Sequence, residues 1–179
     1  MKRLVYAALM VAISVLAIPA LAAVKSDRST GTSDEALADK VKLQIQNNTL
    51  YGIFDWVTVS ADNGVVTLNG WYNEPWHKRQ FEHQASLVPG VTKVVNNLQK
   101  ESGSIADDHI RHLVARIIYG NHWVQPFSRE PGPPVHIIVD HQNITLEGSV
   151  DSKLQRNRAE EAAYSATNAF NIVDHLKIE

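Results

Sequence analysis

The stretch Val57–Tyr72, VTVSADNGVVTLNGWY, sets two alternating apolar runs on either side of Asn63-Gly64. Asn-Gly accepts the positive φ angles of a type I′ turn, so the pattern predicts a β-hairpin with a two-residue loop. Asp62 then faces Val65. Val57/Gly70, Val59/Leu68 and Ala61/Val66 share one face, while Trp56/Trp71, Thr58/Asn69 and Ser60/Thr67 share the other. The first is a core face and the second mixes polar and aromatic groups.

Helical patterns flank the hairpin. Leu37, Val41 and Ile45 recur every fourth residue, with Ala38 widening the stripe and Ser33 or Asp34 available as a cap. After the hairpin, Asn73 can cap a second helix starting at Glu74, with Pro75 tolerated in its first turn. Phe81, Ala85 and Val88 form its inward stripe, Pro89-Gly90 stops it, and Val91–Leu98 reads as a third strand. The expected unit is αββαβ, a three-stranded mixed sheet with both helices on one face.

The unit occurs twice. A shift of 73 carries Asp34, Leu37, Val41 and Ile45 onto Asp107, Ile110, Val114 and Ile118. A shift of 78 carries Val57, Val59, Asp62, Val66, Leu68, Gly70 and Ala85 onto Val135, Ile137, Asp140, Ile144, Leu146, Gly148 and Ala163. The extra residues fall in the Pro-rich stretch VQPFSREPGPP. The second copy has Gln142 where the first has its turn glycine, so a tight loop is less expected there.

Lys2 and Arg3, an apolar run from Leu4 to Ile13 that continues past Ser14 to Ile18, Pro19 and Ala20-Leu21-Ala22 read as a secretory signal peptide, with cleavage expected near Ala22 or Ala23, and an uncleaved membrane anchor is the rival reading. The expected plan is a signal peptide over 1–22, a flexible lead-in over 23–33, a first domain over 34–100, a linker over 101–106 and a second domain over 107–179. The chain has no cysteine, which excludes a disulfide, a lipid-modified Cys and a thiol nucleophile. Its 17 basic residues against 19 acidic ones become a more acidic balance still once Lys2 and Arg3 are removed. No basic stripe marks it for nucleic acid. The chain is expected to be periplasmic, and peripheral to a membrane rather than spanning it.

The order helix, V-x-V-x-x-x-x-G-V-V-T-L-x-G, helix, P-G-V-x-x-V-V-N-x-L resembles the BON domain. Val57, Val59, Gly64, Val66, Thr67, Leu68, Gly70, Gly90, Val91, Val94, Asn96 and Leu98 carry the likeness. The second copy departs at Gln142, Asn168-Ala169 and Asp174. Two copies behind a signal peptide resemble the osmotically inducible periplasmic proteins. The resemblance implies a non-enzymatic module of the envelope, associated with phospholipid surfaces and with osmotic or envelope stress, without a cofactor. The residues agree: no G-x-S-x-G, P-loop or H-E-x-x-H is present, and the Asp107-Asp108 and Glu160-Glu161 pairs read as exposed helix residues.

Three candidate sites follow. The helix DDHIRHLVARIIYG carries Leu113 and Ile117 where the first copy has Lys40 and Gln44, which widens its apolar stripe. His109, Arg111, His112 and Arg116 border that stripe, and Trp123 lies beyond. Arg111, Leu113, Arg116, Ile117 and Trp123 are therefore candidates for contact with an anionic phospholipid surface, and packing between the domains is the other reading of Leu113 and Ile117. The histidines would add charge to that border in mild acid. Trp56 and Trp71, with Trp76 nearby, form a candidate aromatic platform for a glycan or an envelope protein, which would make the chain a protein–protein or chaperone-like module, or else a covered domain interface or third layer. Finally, His136 faces Glu147 across the second hairpin, and His175 on the last strand is a weak third candidate for a zinc ligand.

Overall fold

The fold, given by a computed structural model, is described over residues 28–120, 131–166 and 169–179. It is α+β and consists of two αββαβ units in tandem. The first comprises α1 (Arg28–Gln46), β1 (Trp56–Asp62), β2 (Val65–Tyr72), α2 (His77–Ser86), β3 (Lys93–Asn96) and the short β4 (Gln99–Lys100). The second comprises α3 (Ile105–Gly120), β5 (Val135–Asp140), β6 (Asn143–Val150), α4 (Lys153–Tyr164), β7 (Asn171–Asp174) and β8 (Lys177–Ile178).

The first hairpin has the expected register, from Trp56/Trp71 to Asp62/Val65. The central strand β2 then pairs in parallel with β3 along its first half and with β4 at its end. The expected single third strand is thus two short ones. Between them, the Asn97 N–H donates to the Leu68 carbonyl and the Leu98 N–H to the Asn96 side chain, which bends the chain away from the ladder. Val41 and Ile45 of α1, Val57, Val66 and Leu68 of the hairpin, and Phe81 and Ala85 of α2 make one core. Ile110, Val114, Val135, Ile137, Ile144, Leu146 and Ala163 make its counterpart. Gly70 and Gly148 mark the same spot in the two copies. A Cβ there would lie 2.0 Å from the Trp56 carbonyl and 2.2 Å from the Pro134 carbonyl, at φ values of +126° and +116° that disfavour other residues.

Several boundaries differ from the sequence reading. α1 starts at Arg28, inside the expected lead-in, because no proline interrupts Arg28–Ser33. Asp34 is interior to that helix and serves the hairpin, accepting from the Asn63 N–H at 3.1 Å. α2 begins at His77 with Trp76 before it and no side-chain cap, since residues 74–77 close a turn and the Asn73 N–H is held by Asp55.

The second hairpin also closes on two residues, with Asp140 facing Asn143, although no glycine is present. His141 and Gln142 adopt φ values of +48° and +62°. A left-handed residue other than glycine costs about 1 kcal/mol, and here each one has its N–H fastened. The Asp107 carboxylate accepts from His141 at 3.2 Å and from Gln142 at 2.7 Å. Asp107 is therefore buried, not an exposed helix residue. Burial alone would raise its carboxyl group, but hydrogen bonds from Ser102, Gln142, Ser104 and His141 outweigh that and hold it below the usual value.

Candidate functional site on the third helix and the interdomain junction

α3 presents three flanks. Its inner one, Ile110, Val114 and Ile118, fills the second core. Leu113 and Ile117 are half-buried and pack on that same core. The outer ridge runs through Ile105, His109, His112 and Arg116, all exposed and aligned at helical spacing. Ile105 is 92% exposed. The sequence reading placed it in the linker and missed it, because apolar periodicity counts only residues that point inward.

Arg111 corrects the expectation most sharply. It is 1% exposed and sits on the third flank, against the linker and β5. Its Nε donates to Glu101 at 2.8 Å, and its two terminal nitrogens reach Asp108 at 2.9 Å and the Ser102 and Val139 carbonyls at 3.1 Å. With every arm of the guanidinium engaged, no lipid phosphate can reach it. Glu101 is buried as well, and its second oxygen has no partner among the described residues. Burial, partly opposed by Arg111, pushes its carboxyl up to about 7. Glu101, at the start of the expected linker, is thus a buried clasp: its N–H donates to Tyr72 of the first unit while its carboxylate holds Arg111 and the Val139 N–H of the second.

A second clasp comes from Tyr51–Asp55, the connection between α1 and β1. The Ile53 carbonyl accepts from the Ile137 N–H at 2.8 Å, and the Phe54 ring lies against His112 and Arg111. Asp55 fixes this segment from within. One carboxylate oxygen accepts from Asn73 and meets His77 Nδ1 at 2.8 Å, and the other accepts from Gly52.

The remaining candidates lie at the same junction. His136 is buried between Tyr51 and Trp56, at ring distances of 5.1 and 5.0 Å, with Nδ1 3.2 Å from the Gly52 carbonyl. Burial lowers it to about 4, so it is neutral near pH 7. Glu147 and His175 do meet, at 2.7 Å, but His136 is turned toward the first domain. Among the described residues no group of three could hold a metal ion, and the His136, Glu147, His175 reading is set aside. Trp56 and Trp71 face each other as expected, both half-buried, and Trp56 lies under His136, so the aromatic platform is partly a domain interface. Trp76 is 52% exposed beside His77. Trp123 lies outside the described residues. No described helix is long and apolar enough to cross a membrane.

The repeat also registers in comparison with known families. The BON domain model matches residues 33–100 and again 107–179. The chain belongs to the BON domain family. Its two BON domains coincide with the two αββαβ units, and the family is one of non-catalytic binding domains. No curated protein matches the sequence. Among solved structures, the chain is similar to CdsD, a structural protein of the type III secretion system of Chlamydia trachomatis. The likeness is 11% identity over 80% of this chain and 92% of that one, with a TM-score of 0.31. A C-terminal domain of the same protein matches at 11% identity over 82% and 67%, with a TM-score of 0.32.

Proposed function

We propose that this chain is a non-enzymatic periplasmic module that associates peripherally with anionic phospholipid surfaces of the envelope under osmotic or envelope stress. Membership of the BON domain family supports an envelope-binding role. The observation that carries the lipid reading is the outer ridge of α3, where the exposed apolar Ile105 aligns with exposed His109, His112 and Arg116. Arg116 takes the phosphate role expected of both arginines. Ile105 enters the headgroup boundary, where burying a side chain of that size is worth about 1.5–3 kcal/mol. Leu113 and Ile117 support the ridge from its flank. The buried Asp55–His77 pair is structural, since it holds the Gly52 and Asn73 backbones and is enclosed by Phe81.

Flotation of the purified chain with phosphatidylglycerol or phosphatidylcholine vesicles tests the proposal. Binding is expected to the anionic vesicles, and to weaken as salt rises. One basic residue near an anionic surface contributes about 1 kcal/mol, so Arg116→Ala should weaken partitioning about fivefold. No flotation at low salt with either vesicle would remove the lipid reading.

A further inference from the structure

The two hairpins differ along one edge. A two-residue turn makes Asp62/Val65 and Asp140/Asn143 the pairs that exchange hydrogen bonds beside the loop. Alternate residues of the first strand then direct N–H and C=O away from the hairpin. In β5 these are Val139, Ile137 and Val135, and all are occupied. The Val139 N–H donates to Glu101 at 3.3 Å and its carbonyl accepts from Arg111. The Ile137 N–H donates to the Ile53 carbonyl at 2.8 Å. The Val135 N–H donates to the Tyr119 hydroxyl at 3.1 Å, and that hydroxyl donates to the Val135 carbonyl.

The counterparts of Val139, Ile137 and Val135 in β1 are Ala61, Val59 and Val57; Val57 is buried beside Tyr51, and Ala61 and Val59 have no outward hydrogen bond among the described residues. The first helix of each unit explains the difference. Asp107, Arg111, Ala115 and Tyr119 recur every fourth residue along the β5 edge, and their counterparts in α1 are Asp34, Ala38, Lys42 and Gln46. Asp34 keeps the bond to the turn. Ala38 has no side chain to reach the backbone as Arg111 does. Gln46, at the place of Tyr119, is only 9% exposed, and its Oε1 is buried without a partner among the described residues. It lines an interdomain cleft of about 410 Å³ together with Trp56 and Thr58 of β1.

We infer that the outer edge of β1 takes an extended segment of another polypeptide as an added strand, with backbone hydrogen bonds at Val59 and Ala61. The occupant is a main chain because alternating unused N–H and C=O groups match nothing else so well. In β5 the middle one of the three outward positions is met by backbone, the Ile53 carbonyl of a connecting segment, and the outer two by side chains. β1 contains no lysine, arginine or proline, and its register with β2 runs through seven consecutive pairs without a bulge. Half-exposed Val59 and Ala61 on the helix side and exposed Thr58 and Ser60 on the other select a strand that alternates apolar and polar residues. A bare strand fits better than a second copy, whose own first helix would lie on the same side of a continuous sheet and meet α1. The inference is independent of the lipid proposal, since it concerns the first domain and α3 belongs to the second.

The probe is an acetylated peptide with the β2 sequence VVTLNGWY, which has the required alternation, titrated into the purified chain while amide exchange is followed by NMR. The peptide is expected to slow exchange at Val59 and Ala61 at least tenfold and to leave Ile137 and Val139, already bonded, unchanged. The same peptide N-methylated throughout, which has no N–H to donate, should have no such effect. A charge beside the edge, Ser60→Lys, should reduce the protection while the spectrum elsewhere stays that of the folded chain. No slowing at millimolar peptide, or equal slowing by the methylated peptide, would overturn the inference. So would light scattering that traces the protection to a two-chain particle.

Discussion

Arg111→Ala is expected to lower the stability of the folded chain by about 3–5 kcal/mol, the usual cost of leaving one member of a buried ion pair without its partner. The substitution strands the Glu101 carboxylate and removes the donor from the Val139 carbonyl, so two buried groups lose their bonds together. Urea unfolding followed by tryptophan fluorescence measures the loss. The paired replacement Arg111→Met with Glu101→Leu should recover most of it, because apolar residues of similar volume carry no desolvation cost. A loss below about 1 kcal/mol for Arg111→Ala would instead fit an exposed arginine, and would return Arg111 to the lipid-facing role that its sequence context suggests.

Glu101→Gln and His136→Phe are expected to tilt the pH dependence of stability in opposite directions. Burial raises Glu101 from 4.5 to about 7, so its contribution is fully present below about pH 4.5 and is lost as pH rises through about 7. Burial lowers His136 from 6.5 to about 4, so its contribution is present above about pH 6.5 and is lost as pH falls through about 4. The His136 shift corresponds to roughly 3 kcal/mol. Between about pH 4.5 and 6.5 the two slopes oppose each other, and the unmodified chain should show only a shallow profile from these groups. With Glu101→Gln the His136 slope stands alone, and the protein should lose roughly 3 kcal/mol between about pH 6.5 and 4. With His136→Phe the Glu101 slope remains, and stability should rise as pH falls from about 7 to 4.5. Unfolding at a series of pH values reads both, and parallel profiles for the two variants would contradict the burial of these residues at the junction.

The hairpin register, the tandem repeat and both cores were legible in the sequence because they follow from alternation, turn chemistry and a constant shift between copies. The second turn was not legible as tight, because its support is remote. Asp107, on the preceding helix, supplies the acceptors that let His141 and Gln142 hold left-handed backbones. A signal for it did exist, since Asp34 and Asp107 occupy one repeat position and both bind the turn that follows. Arg111 was misread for a related reason. A basic residue beside an apolar stripe has the composition of a membrane helix whether it points to solvent or into the junction, and only its partner Glu101 decides. Position 111 corresponds to Ala38, and a bulky charge replacing a small residue on the strand-edge flank is the trace that the clasp left in the sequence. Ile53 and Phe54 look like a plain connection until the second domain is placed beside them.

The outer ridge of α3 is the surface proposed to meet the envelope. NMR spectra of the chain on phosphatidylglycerol vesicles carrying a spin-labelled lipid headgroup test this residue by residue. Broadening centred on Ile105, His109, His112 and Arg116, with Trp56, Trp71 and the β5 amides spared, is the predicted result. Broadening centred on the first domain, with the α3 ridge unaffected, would contradict it.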